Sequence, residues 1–305
     1  VAKAAEQTFE LYPRAPFRLD LTVWALRRSP DNRIDRWDGC VYRRLVMQGD
    51  LRIEWAVRQT GPPESPELQV GISSYGAGSP DAAAVGSTLT RLLGLQIDLG
   101  EFYHRVAVAT PLAEMVQRFS GLKPPRLPTV FETVVNGIAC QQLSLNVGIG
   151  LLNRLSREFG PAAGGQHAFP RPADLCGAGV EALRELGFSR RKAEYIFEAA
   201  RAVGAGSLDL EALERSGDRE AVEDLQRLRG IGRWTAEYVM LRGLGRLDFI
   251  PADDVGAQNK IQRWLGLEAR PDYAAVHRSI DRWSPYRGMI YFYLLLDHLS
   301  QKGVL

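Results

Sequence analysis

The chain has 305 residues, 45% hydrophobic and 24% charged, which is enough to bury a core of about two domains and too apolar for a disordered or fibrous protein. Its 38 basic and 36 acidic residues leave a formal charge of +2, so any nucleic acid is held by a local surface and not by overall charge density. The longest apolar stretch, around Met289 to Leu296, is far shorter than the roughly 18–20 residues that cross a bilayer. The opening VAKAAEQTFELYPRAP offers no apolar run suited to a signal peptide, so an intracellular, cytoplasmic protein is expected, associated with the nucleoid if the source is bacterial.

In the first hundred residues apolar positions alternate. Phe17, Leu19, Leu21 and Val23 share one face of a strand, and Leu51, Ile53, Trp55 and Val57 repeat the pattern. Val41 to Met47 and Leu68 to Ile72 add two more strands, with breaks at Gly49-Asp50 and at Gly61-Pro62-Pro63. From about Val106 the spacing becomes helical. Thr129 is placed to cap a helix through Phe131, Val134, Val135 and Ile138, and Glu132 completes a capping box. The Pro161 to Pro172 stretch reads as an exposed loop. Ser189 is placed to cap Arg190 to Val203, and Thr235 to Leu241 and Tyr286 to Leu299 form further helices. The fold class is therefore α+β, with an antiparallel sheet domain over 1–105 and a helical domain over 106–305. Cys40, Cys140 and Cys176 lie far apart with no CxxC pair and no histidine at ligand spacing. They are expected to be small buried apolar residues, with neither structural zinc nor disulfides.

Most of the chemistry lies between Leu225 and Leu265. In LQRLRGIGRWTAEYVMLRGLG, Gly230-Ile231-Gly232 makes a tight turn between two helical stretches, with Ile231 pinned inward and backbone N–H groups directed outward beside the next helix, an arrangement suited to a phosphate oxygen. Arg229 and Arg233 flank the turn. Trp234 and Tyr238, four residues apart, share one face of the helix that follows. In FIPADDVGAQNKIQRWL, Pro251 ends one element, and one or both of Asp253 and Asp254, Asp253 above all, are expected to cap the next.

Hairpin, helix, proline turn and aspartate in this order resemble the helix-hairpin-helix DNA glycosylase superfamily, and within it the 3-methyladenine DNA glycosylase II type, the alkylbase glycosylases. The family's LxGIGRWTAxY hairpin stands here as Leu228 to Tyr238, and its aspartate as Asp254. FETVVNGIACQQLS (Phe131 to Ser144) is similar to its helix and intercalating loop, LGFSRRKAEYI (Leu186 to Ile196) to its second DNA-facing turn, and Trp283 to Arg287 to the turn before its last helix. FRLDLTV and LQIDLGEFYH are similar to the 8-oxoguanine branch. A glycosylase for oxidised or deaminated bases (8-oxoguanine, hypoxanthine or uracil) and a non-catalytic helix-hairpin-helix DNA-binding protein therefore stand as alternatives.

The resemblance implies base excision repair of double-stranded DNA containing damaged bases by a monomer. A flipped alkylated purine would be hydrolysed at its N-glycosidic bond, with Asp254 the catalytic carboxylate that stabilises oxocarbenium-like charge and orients water. Trp234 and Tyr238 would form the base pocket, with Leu295 at the position of a further family aromatic. Strand-cleaving members carry a lysine where this chain has Trp234, so the resemblance implies a monofunctional enzyme. No cysteine follows Cys176, which leaves no ligands for the iron–sulfur cluster of the endonuclease-type members. The DNA-binding set is Gly230, Ile231, Gly232, Arg233, Gln141, Gln142, Leu143, Ser189 and Lys192, with Gln142 at the wedge position, and Arg190 and Arg191 are further candidates for the DNA backbone. No catalytic cofactor is implied. The backbone carbonyls of Gln226, Leu228 and Ile231 are implied ligands of a monovalent cation, Na+ or K+.

Overall fold

The computed structural model describes residues 3–107 and 112–305. Strand β1 (Lys3–Leu11) and helix α1 (Leu19–Arg27) precede β2 (Arg36–Trp37), β3 (Val41–Gln48), β4 (Leu51–Gln59) and β5 (Leu68–Tyr75). The strands form one antiparallel sheet in the order β1-β5-β4-β3-β2. Its register follows from alternation: Trp55 lies opposite Ile72 and Val57 opposite Val70, all four buried on the face that α1 covers.

The stretch from Phe17 to Val23, expected as a strand, leads instead into α1, and the sheet is completed by β1 and β2, which the alternation did not mark. Burial on two sides explains the misreading. Leu19, Val23 and Leu26 enter the sheet core, whereas Leu21 and Ala25 face a second core built from later helices, so an all-round apolar helix imitates a two-residue period over a short window.

Helices α2 (Ala82–Leu92) and α3 (Gly100–Ala107) follow the sheet, and α3 runs across position 105. Then come α4 (Ala113–Arg118), α5 (Val130–Cys140) and α6 (Leu145–Phe159). The region from Pro161 to Pro172, expected as an open loop, contains a short hairpin, β6 (Ala162–Ala163) with β7 (Gln166–His167), held by buried Ala163, Ala168 and Phe169. The remaining helices are α7 (Pro172–Cys176), α8 (Gly179–Glu185), α9 (Arg190–Gly204), α10 (Asp218–Arg227), α11 (Arg233–Arg242), α12 (Val255–Leu265), α13 (Tyr273–Ile280) and α14 (Arg287–Gln301).

Helices α5 to α11 enclose one core, and α1, α3, α4 and α12 to α14 another, with α11 contributing to both. Buried arginines join these parts. Arg44 on β3 reaches Asp35 at 2.7 Å and both oxygens of Glu132 on α5 at 2.6 Å. Thr129 caps α5 through the Glu132 N–H, but the expected reciprocal half of a capping box is absent because Arg44 holds the Glu132 carboxylate. Arg242 donates to the carbonyls of Ala25 and Leu26 at the end of α1. Cys40 is exposed and Cys140 and Cys176 are half-buried, so the three free cysteines are not the buried apolar residues expected. No described helix is long and apolar enough to cross a membrane.

Candidate DNA-binding and base-excision site

Between the two helical cores lies an open cleft of about 1210 Å³. Three turns form its rim: the end of α5, the start of α9 and the turn from α10 into α11. Gly230 takes φ +86°, and a Cβ there would fall 2.1 Å from the Tyr195 ring of α9, so only glycine permits the turn to dock. Ile231 is buried as expected, and Gly232 begins α11 with no side-chain cap, leaving first-turn amides of that helix at the cleft. Gln141 ties the end of α5 to the α10–α11 turn, since its Nε2 donates to the Gly230 carbonyl at 2.9 Å and to Thr235 Oγ1 at 2.8 Å.

Lys192, read in the sequence as a cation facing the DNA backbone, has its ammonium on the carbonyls of Ala139 and Gln141, at 2.9 and 2.7 Å. In this position it caps the end of α5 and positions the loop that follows. Ser189 caps α9 through the Lys192 N–H, as expected. Of its neighbours, Arg190 pairs with Glu181, and Arg191 lines the cleft. Gln142 is at φ 53°, and both it and Leu143 stand exposed beyond the rim. Gln226, Leu228 and Ile231 line the cleft together, and the Leu228 carbonyl already accepts the Ile231 N–H at 3.1 Å.

Asp254, and not Asp253, is the N-cap of α12: its Oδ1 accepts from the Ala257 N–H at 2.7 Å. Its other oxygen, Oδ2, accepts the Trp234 indole N–H at 3.2 Å. Asp253 is withheld from the cap because Arg233 holds it, with Nη2 at 2.7 Å, while the same guanidinium lies 3.7 Å over the Tyr273 ring. Behind this loop, burial pushes the Glu237 carboxyl up to about 7, against the opposing bonds from Tyr273 Oη and the Ala252 N–H. Glu237 thereby joins α11 to the residues just before the aspartates.

Trp234 stacks on Tyr238, centroids 5.5 Å apart at 16°. Tyr238 is buried and donates its hydroxyl to Asn136 Oδ1 at 2.9 Å. Leu295 lines the opposite wall, and one turn earlier Tyr291 also lines the cleft, supplying an aromatic on the last helix at a shifted position. Burial, reinforced by the nearby Asp254 charge, holds the Tyr291 hydroxyl well above its usual pKa. Tyr293 packs instead against Phe102 in the core. Sequence reasoning missed Arg28, just past α1, which also lines the cleft and meets Asn136 across 108 positions of the chain; no local motif marks it.

A sheet domain leaning on two helical cores, with a glycine hairpin and an acidic N-cap across one cleft, defines a class of DNA-repair protein. A family model described as HhH-GPD superfamily base excision DNA repair protein matches residues 135–285, and the chain belongs to that superfamily. DNA-3-methyladenine glycosylase 2 of Escherichia coli is 31% identical over 215 residues, covering 68% of this chain and 70% of that protein. A putative DNA-3-methyladenine glycosylase of Bacillus subtilis is 28% identical over 280 residues, 92% of this chain and 95% of that one. The solved 3-methyladenine DNA glycosylase from Archaeoglobus fulgidus superposes with a TM-score of 0.82 at 27% identity, covering 97% of this chain and all of that one.

Proposed function

We propose that this protein is a monofunctional DNA glycosylase that flips alkylated purines out of duplex DNA and hydrolyses their N-glycosidic bonds in base excision repair. The observation that carries this reading is Asp254, anchored through one oxygen to the start of α12 and through the other to the indole of a stacked aromatic pair in an open cleft. Departure of a base leaves positive charge on the sugar, and a fixed carboxylate beside that carbon stabilises it and orients the attacking water. An N-alkylated purine is already a cationic leaving group, so the pocket needs shape and π faces more than a proton donor.

On the rim, the uncapped amides of α11 suit a DNA phosphate, and the exposed Gln142-Leu143 turn suits the gap left by the flipped nucleotide. The carbonyls of Gln226, Leu228 and Ile231 would hold a monovalent cation that neutralises phosphate charge; the Leu228 oxygen keeps a second lone pair for it. Monofunctional chemistry is supported by Trp234 at the lysine position and by the engagement of Lys192 with carbonyls.

The test is a set of duplexes each bearing one damaged base, incubated with enzyme and then read with and without alkali and with borohydride. Base release from alkylated duplexes, strand breaks only after alkali, and no trapped adduct are expected. Release of 8-oxoguanine alone would overturn the alkylbase reading. A trapped adduct would overturn the monofunctional one and point to Lys260, which lines the cleft and whose ammonium pKa burial lowers.

A further inference from the structure

Arg28 is 5% exposed, takes the left-handed φ of 62°, and lines the cleft. Its Nη2 donates to Asn136 Oδ1 at 2.7 Å, the same neutral oxygen that accepts the Tyr238 hydroxyl, and its guanidinium carbon lies 5.9 Å from the Tyr238 ring. Among the described residues no carboxylate pairs with it, and its Nε has no hydrogen-bond partner. The buried carboxylates nearby, Asp35 and Glu132, are both held by Arg44, and the buried Arg242 is held by helix-end carbonyls. The junction therefore carries an excess of buried positive charge, and the part of it without a counterion is at the cleft. A cation nine-tenths buried with no carboxylate in contact depends on polar neighbours to stay charged, here Tyr238, Cys140 and Tyr291 as well as Asn136, an arrangement that an apolar residue of similar size would not need.

We propose that Arg28 is a specificity-determining residue that recognises the carbonyl edge of a flipped 6-oxopurine, so that N7-alkylguanine is preferred over 3-methyladenine. The inference rests on the glycosylase reading above and narrows its substrate. Asp254, Trp234, Tyr238 and Arg28 form a series of contacts that begins where the sugar must sit and ends at the guanidinium. The six-position of a purine is the edge far from the glycosidic bond, and therefore the edge carried toward the end of that series. A carbonyl there accepts from guanidinium, in a charge-assisted bond. The amino group of 3-methyladenine presents N–H donors to a donor, and the positive charge of the alkylated ring adds repulsion with no acceptor to offset it. N7-methylguanine is also cationic, but it brings its carbonyl to Arg28 while leaving the charged ring to the Trp234 face.

The experiment compares single-turnover release of 7-methylguanine, hypoxanthine and 3-methyladenine from duplex DNA, corrected for spontaneous loss, in the native enzyme, in Arg28→Met and in Asn136→Asp. Arg28→Met is expected to slow release of the two 6-oxopurines about tenfold and to raise release of 3-methyladenine about threefold. Asn136→Asp keeps Arg28 but gives it a counterion, and should shift the ratio in the same direction, which preserves the test if the first variant does not fold. A parallel fall for all three bases, or a ratio that moves less than threefold in both variants, overturns the role of Arg28. If the native enzyme releases neither methylated purine, the alkylbase reading fails. Arg28 is then judged on quenching of tryptophan fluorescence by free hypoxanthine and free 3-methyladenine, where tighter binding of hypoxanthine that is lost in Arg28→Met supports it and equal affinities overturn it.

Discussion

Along the rim of the cleft Leu143 and Val255 keep 42% and 53% of their surface exposed, whereas on its wall Tyr238 and Leu295 keep 1% and 6%. The polar groups divide in the same way. Arg191 lines the cleft from an exposed position, while Asn136 and Arg28 are buried and bonded to each other. The wall has been ordered by folding, so a base entering it meets groups that no longer lose rotamer freedom. The rim still exposes apolar side chains and uncapped amides, as a surface does when its partner is DNA that covers it only in the complex. Catalysis and lesion choice should therefore respond to changes in the wall, and affinity for DNA of any sequence to changes in the rim.

The strongest test of that division is Asp254→Asn. Asparagine keeps the N-cap bond to Ala257, because its one carbonyl oxygen can replace Oδ1, but its amide N–H₂ then faces the Trp234 indole N–H and the negative charge is gone. Base release should fall on the order of a hundredfold or more, while α12 stays folded and binding to a duplex with an abasic-site mimic is retained. Near-normal release would move the reaction to another group. Asp253 is a poor substitute because Arg233 already holds it.

The two hairpin glycines sharpen the contrast within the rim itself. Gly230→Ala puts a Cβ into the Tyr195 ring at a positive φ and should destabilise the fold by about 1–3 kcal/mol, visible in chemical denaturation. Gly232→Ala meets no neighbour within 4 Å at a φ of −88°, so the fold should be unaffected. Its methyl group would stand where phosphate approaches, and binding should weaken severalfold for all sequences and lesions alike. A loss confined to one lesion would assign this turn to the pocket.

The hairpin and the Trp234–Tyr238 pair were legible in the sequence because each depends on spacing within about ten residues of one segment, whereas Asp254, 20 positions beyond Trp234, was singled out only by the resemblance of the whole arrangement to a known family. Arg28, Asn136 and Glu237 were not, because their roles arise from packing between segments: Arg28 and Asn136 meet across more than a hundred residues of chain. The α1 segment was misread for the same kind of reason, since its pattern records two partners, the sheet and α14, that the local sequence does not name. Either aspartate of the Asp253-Asp254 pair can cap, and only the distant Arg233, by holding Asp253, leaves the cap to Asp254.

The smallest expected effect concerns Trp234, which touches both halves of the chemistry: its N–H reaches Asp254 and its face continues the stack over Tyr238. A single Trp234→Leu variant removes both and would slow every lesion, which says nothing about recognition. Trp234→Phe removes the N–H but keeps an aromatic face, so the comparison of Leu with Phe isolates the ring. If the face attracts a cationic base, replacing Phe by Leu should cost 7-methylguanine about 1 kcal/mol more than it costs neutral hypoxanthine, roughly fivefold in rate at 25 °C. Spontaneous loss of the charged base must be subtracted, because its faster departure needs no enzyme. Equal costs for the two bases would mean that the ring provides only packing, and would leave the choice of lesion to Arg28 and to leaving-group chemistry.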